Sequence, residues 1–164
     1  MPSSRSKADV FRLTAADRDE ADLVLRAAFE RYVRQLGRDL SARGDRNLDR
    51  HIAEGSVFGV RDGDALARVL AGVLVSGIDS PEVWQIKFLA VHPDHQGKGL
   101  SGQLIAELIT QARASGAREI RLHTAAMMTR LIAHYESFGF TETHRAPPDH
   151  DLDTNPRVHM RLTL

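Results

Sequence analysis

Val91-His92-Pro93-Asp94-His95-Gln96-Gly97-Lys98-Gly99-Leu100-Ser101-Gly102 is the stretch whose reading decides the fold. The run before it, Glu82 to Val91, has the composition of a strand. After it, Leu100, Leu104, Leu108 and Ala112, with Ile105 and Ile109 beside them, form the apolar stripe of a long helix that starts near Gly99 and is closed by Gly116. A strand that ends in a glycine-rich turn and a helix aims the backbone N–H groups of the first helical turn, and the positive end of the helix dipole, at one spot. Gly97 and Gly99 allow close backbone approach and conformations that other residues resist, and Lys98 adds positive charge. This chemistry suits a pyrophosphate; a glycine-containing helix entry without a ligand is the plain alternative. The segment also spells Gly97-x-Gly99-x-x-Gly102, the dinucleotide fingerprint, but its context is wrong. That fingerprint wants an acidic residue at the end of the next strand, and here the next strand ends at His123-Thr124 with Glu119 at its beginning.

Working outward, Val10 to Leu13 reads as a short strand and Thr14-x-x-Asp17 as the cap that opens a helix. Ala21, Leu25, Ala28, Phe29, Tyr32 and Leu36 keep helical spacing up to Gly37. A short helix follows over Leu48 to Ala53, stopped by Gly55, then a strand from Ser56 to Arg61, an Asp62-Gly63 turn and a strand from Ala67 to Val75. Beyond the central helix come a strand at Glu119 to Thr124, a helix at Met128 to Phe138, and strands at Thr141 to Arg145 and Arg157 to Leu162. Pro147, Pro148 and Pro156 make the last connection a loop. The order β-α-α-β-β-β-α-β-α-β-β is that of a mixed α/β domain.

The whole chain, residues 1–164, fits one domain, with residues 1–8 expected to be disordered. It contains no cysteine, which excludes thiolate metal sites and disulfides and fits a reducing, cytoplasmic setting. Lys plus Arg and Asp plus Glu are 22 each, so no basic excess points to nucleic acid. Val69 to Ile78, the longest strongly apolar run, is too short for a membrane span and carries two glycines.

The central segment resembles the GNAT acetyltransferases. Their Leu-Ala-Val-x-Pro strand followed by Gln/Arg-x-x-Gly-x-Gly/Ala is matched by Leu89-Ala90-Val91-His92-Pro93 and by Gln96-Gly97-Lys98-Gly99-Leu100-Ser101, with Ser101 where Gly or Ala is usual. A second pattern of that family, Tyr-x-x-x-Gly-Phe, is matched by Tyr135-Glu136-Ser137-Phe138-Gly139-Phe140. The patterns stand in the family's order, and the resemblance covers roughly Val10 to Leu162. It implies a mixed, mostly antiparallel central sheet of about seven strands flanked by about four helices. It also implies acetyl-CoA as co-substrate and direct transfer of the acetyl group to a primary amine. The backbone of Leu89, Ala90 and Val91 would pair with the pantetheine arm. The N–H groups of Gly97 through Gly102, flanked by Gln96, would hold the pyrophosphate, and the Ser101 hydroxyl could add a bond to it. Tyr135 would protonate the departing thiolate. Dimers are common in the family, so a homodimer is one expectation for this chain.

The amine must lose a proton before it attacks, which calls for a general base. Many relatives carry a glutamate two residues before the Leu-Ala-Val strand motif, and Lys87 stands there. A lysine is protonated unless strongly desolvated, so it is a poor base and would repel a cationic amine. Trp84, Ile86 and Phe88 alternate with Gln85, Lys87 and Leu89; the first set reads as core, and Lys87 then projects toward the acceptor side. There it is either a solvated lysine or the partner of a carboxylate. His123, on the following strand, is the replacement base, since histidine ordinarily titrates near ~6.5; a hydrogen-bonded sheet histidine is the alternative. Met128 replaces an asparagine that contacts the cofactor in many relatives, and Met127-Met128 reads as packing.

His92 and His95 lack further ligands at metal-binding spacing, so no metal is expected. Asp149, Asp151 and Asp153 alternate like an EF-hand start, but Thr154 and Met160 occupy the positions that need glycine and glutamate. This loop reads instead as a polar hairpin loop, with a border of the acceptor pocket as the functional alternative. The leading function is N-acetylation of a small amine, an amino-acid-like metabolite or a protein N-terminus. A CoA-sensing domain that has lost its base is the competing reading, suggested by Lys87, and an acyltransferase with a longer acyl chain or an oxygen acceptor is a third.

Overall fold

The computed structural model describes residues 9–36, 48–61, 71–78, 80–147 and 155–164. Gly37, the Asp62-Gly63 turn, residues 67–70 of the expected third strand, and Asp149, Asp151 and Asp153 lie outside them, as do the side chains of Phe29, Tyr32 and Leu36. Seven strands and four α-helices lie among the described residues. They run β1 (Asp9–Arg12), α1 (Arg18–Leu36), α2 (Leu48–Ala53), β2 (Val57–Arg61), β3 (Ala71–Ile78), β4 (Ser80–Val91), α3 (Leu100–Ala114), β5 (Glu119–Ala125), α4 (Thr129–Ser137), β6 (Thr141–Ala146) and β7 (Arg157–Thr163). The hydrogen-bonded strand order is β1-β2-β3-β4-β5-β7-β6. β4 and β5 pair in parallel, while β1–β2, β2–β3, β5–β7 and β6–β7 are antiparallel. This is the mixed α/β domain that the residue pattern implies, with the mostly antiparallel sheet that the resemblance implies. None of the described helices is long and apolar enough to cross a membrane.

The chain packs as two compact units, residues 1–74 with 88–104 and residues 75–87 with 105–164. In the first, Leu13, Ala21, Val24, Leu25, Leu48, Ile52, Val57 and Ala90 form one buried cluster, with Phe11 and Ala28 packed against it. Each leucine or isoleucine so buried contributes about 1.5–3 kcal/mol. The Thr14–Asp17 cap is formed: the Thr14 N–H donates to the Asp17 carboxylate at 2.8 Å and its hydroxyl at 3.2 Å. It opens a single 3-10 turn, Ala15–Asp17, that runs on into α1. Arg61 then closes on the same carboxylate at 2.7 Å, joining the helix entry to β2.

The second unit buries Ile86 from β4, Ile105, Leu108 and Ala112 from α3, Ile120 and Leu122 from β5, and Val158, Met160 and Leu162 from β7. The alternation holds along β7 and from Ile120 to His123 of β5, breaking at half-buried Thr124 and buried Ala125, so Arg121 and His123, and likewise Arg157, His159 and Arg161, fall on the opposite face. Two packing expectations are corrected. Phe88 is not core but 39% exposed, although Ile86 and Ala90 on the same side of β4 are buried. The β4–β5 ladder covers Val83 to Gln85 and ends before Phe88 is reached. Met127 is 43% exposed because it falls in the turn between β5 and α4, where neither period assigns it an inner face.

Candidate active site

In the first unit, β4 delivers Leu89, Ala90 and Val91 to the glycine turn, with Ala90 buried and its neighbours half-buried. A single 3-10 turn, Pro93–His95, follows. The His92 Nδ1 accepts the Asp94 N–H at 3.1 Å, and the His95 N–H donates to the His92 carbonyl at 2.9 Å. The Gln96 Nε2 reaches back to the Val91 carbonyl at 3.4 Å, which ties the turn to the end of the strand. Gly97 and Gly99 both have φ near +78°, a conformation that side chains with a Cβ resist. A Cβ built on either would meet no atom within 4 Å, so backbone conformation rather than crowding demands glycine, and the space beside both residues is open.

The Gln103 N–H makes the early α3 bond to the Gly99 carbonyl at 3.1 Å, so the amides of Leu100, Ser101 and Gly102 belong to the first turn, at the positive end of a 15-residue helix. Leu100 is buried and anchors that turn, while Ser101 and Gly102 are half-buried. Lys98 is exposed, with its Nζ 3.3 Å from the His95 Nδ1. Open space against two positive-φ glycines, a helix N-terminus and a neighbouring ammonium are what a diphosphate needs, and the residues present fit one.

Tyr135 and His123 lie in the second unit. Tyr135 sits near the end of α4, and the Tyr-x-x-x-Gly-Phe pattern is the helix terminus itself. The Phe140 N–H donates to the Tyr135 carbonyl at 3.3 Å and the Gly139 N–H to the Glu136 carbonyl at 2.9 Å, the two bonds of a Schellman cap. Gly139 takes φ +96°, and a Cβ there would stand 3.2 Å from the Leu162 Cδ1. The apolar contact that accompanies such a cap is the Tyr135 ring against the Phe140 ring, edge to face at 5.6 Å. The pattern therefore fixes the phenol in place. Tyr135 is only 4% exposed, and burial pushes its pKa well above the ordinary phenol value, so it keeps its proton across the neutral range.

His123 is exposed on the outward face of β5. Its ring lies 5.2 Å from that of His159 on β7, which in turn stacks at 4.3 Å and 12° on His144 of β6. This row of imidazoles escapes sequence reading, because it depends on the registers His123↔His159 and His144↔His159 between strands far apart in the chain. Lys87 is exposed, as its place in the alternation requires. Among the described residues no group of three or more His, Asp or Glu side chains is arranged to hold a metal ion.

Known proteins resemble this chain in sequence and in fold. Over 57 residues the chain is 39% identical to the L-methionine sulfoximine/L-methionine sulfone acetyltransferase of Salmonella typhimurium, a match that takes in 35% of this chain and 33% of that protein. The match thus spans about a third of the length of the curated relatives. The fold superposes on the PaiA N-acetyltransferase of Thermoplasma acidophilum, solved in complex with coenzyme A, with a TM-score of 0.77 at 13% identity, over 97% of this chain and 100% of that one. It also superposes on the ribosomal-protein-S18-alanine N-acetyltransferase of Escherichia coli with a TM-score of 0.69 at 21% identity, over 95% and 93% of the two chains. The model of the acetyltransferase (GNAT) family matches residues 22–140, a span that holds the glycine turn, His123 and the capped Tyr135, and the chain belongs to that family.

Proposed function

We propose that the protein is an acetyl-CoA-dependent N-acetyltransferase whose acceptor is the primary amine of an amino-acid-like molecule. The observation that carries this reading is the turn at the head of α3, where Gly97 and Gly99 hold positive φ beside open space. Backbone amides from Gln96 to Gly102 bind the diphosphate, and the Leu89–Val91 backbone pairs with the pantetheine arm. Acetyl-CoA, when bound, supplies the thioester-activated acetyl group. Tyr135 holds a proton for the departing sulfur, a role suited to a phenol that burial keeps protonated. His123 takes the proton from the attacking amine. Exposed Lys87 pairs with the acceptor's carboxylate, which turns a liability toward a lone cation into recognition of a zwitterion. The similarity to an enzyme named for two methionine derivatives supports an amino-acid acceptor.

The test is thiol release from acetyl-CoA in the presence of a panel of L-amino acids and their sulfone and sulfoximine derivatives, amino-acid amides, polyamines and peptides. The reading expects turnover with free amino acids, and at least about tenfold lower kcat/KM for the amides that lack the carboxylate. CoA binding without turnover on any amine would leave a CoA-sensing domain in its place. Equal turnover of acids and amides would remove Lys87 from recognition.

A further inference from the structure

We propose that Lys87 is a self-acetylation site, an inference that rests on the proposed seating of acetyl-CoA along Leu89–Val91. Its ε-amine takes the acetyl group when no acceptor is present, and the modified side chain no longer recognises the acceptor's carboxylate. The chain almost avoids lysine: of its 22 lysines and arginines, only Lys7, Lys87 and Lys98 are lysines. Where a plain cation serves, as in the pairs Arg18–Asp49, Arg26–Asp22 and Arg61–Asp17, the chain uses arginine. A guanidinium stays charged, whereas a lysine amine can be deprotonated and acylated. Lysine at position 87 therefore puts an acylable amine on the strand that guides the thioester.

Lys87 is exposed on β4, one same-side step of about 6.8 Å before Leu89. With the diphosphate held at the turn from Gln96 to Gly102, an arm that runs back from Val91 to Leu89 ends with its sulfur toward Lys87. The β4–β5 ladder ends at the pair Gln85↔Arg121. Two residues further along each strand stand Lys87 and His123, on one face and within one compact unit. Tyr135 belongs to the same unit. Lys98 is less well placed, since its Nζ lies 3.3 Å from the His95 Nδ1, at the diphosphate end of the site. In the transfer, the ε-ammonium of Lys87 gives one proton to His123. Its nitrogen lone pair then forms the N–C bond to the acetyl carbon, and the C–S bond breaks. The sulfur leaves with the phenol proton of Tyr135, the second nitrogen proton passes to water, and water reprotonates the phenol. The products are ε-N-acetyl-lysine, CoA and one released proton. Acetylation removes the charge of Lys87 and its capacity for an ion pair.

The experiment incubates the full chain with acetyl-CoA and no acceptor, and follows intact mass, peptide maps and thiol release. Expected is a gain of one acetyl group per chain, on Lys87, with one thiol released for each, at least about tenfold faster than at Lys98 or Lys7. The acetylated chain should show kcat/KM for free amino acids about tenfold lower, with that for amino-acid amides unchanged. Lys87→Arg should gain no acetyl group there, and its kcat/KM should stay constant through the incubation. Tyr135→Phe should slow the modification. Acetyl groups spread evenly over the three lysines, or none on Lys87 in a chain that binds CoA by calorimetry, would overturn the inference alone. An acetylated chain that still prefers free amino acids to amides would overturn its regulatory half. A chain that binds no CoA would overturn it together with the function on which it rests.

Discussion

A phenol and an imidazole divide the proton chemistry proposed for this protein, and their surroundings suit the division. Tyr135 is buried and keeps its proton, whereas His123 is exposed. Tyr135→Phe keeps the ring against Phe140 and removes only the hydroxyl. It is expected to lower kcat by about a hundredfold or more with little change in the KM for acetyl-CoA, read by steady-state thiol release. An unchanged kcat would leave the residue a role in helix termination alone. His123→Ala is expected to abolish the acidic limb of the kcat/KM–pH profile. A limb that persists in the variant would assign the base elsewhere.

The capped end of α4 shows how an element serves a residue. Gly139 sits at φ +96° with the Leu162 side chain 3.2 Å from where a Cβ would go. Gly139→Ala is expected to destabilise the fold by about 1–2 kcal/mol, measured by urea denaturation, through left-handed strain and that close contact. A change of a few tenths would mean the cap tolerates a side chain. Elements of this kind were largely legible in the sequence because their signals are local. The Leu100–Leu104–Leu108–Ala112 stripe is buried throughout, α2 spans Leu48–Ala53, and Gly55 takes the positive φ of a helix stop. Phe88 and Met127 were misread where locality fails: one lies beyond the end of a ladder, the other in a turn. The row His123–His159–His144 was not legible, since its registers join strands separated by α4 and a long connection.

For the molecule as a whole, burying a phenol couples folding to pH. The folded-state pKa of Tyr135 is raised above the ordinary value of 10.0. The folded state therefore retains a proton that the unfolded chain releases, and the stabilisation is complete below that value and declines as pH rises above it. Denaturant titrations should show stability falling above about pH 10, by up to about 1.4 kcal/mol per unit from this group, with a shallower fall in Tyr135→Phe. The same slope in both proteins would mean that the phenol ionises freely in the fold.

The account rests on the turn from Gln96 to Gly102 holding a diphosphate. Isothermal titration of CoA into the wild-type protein and Gly99→Val tests this most directly, since a β-branched residue resists φ near +78° and its side chain would fill the open space. The account predicts saturable one-to-one binding to the wild type and a loss of affinity of about a hundredfold in the variant. Equal affinity in the two proteins, or no heat of binding with the wild type, would contradict it.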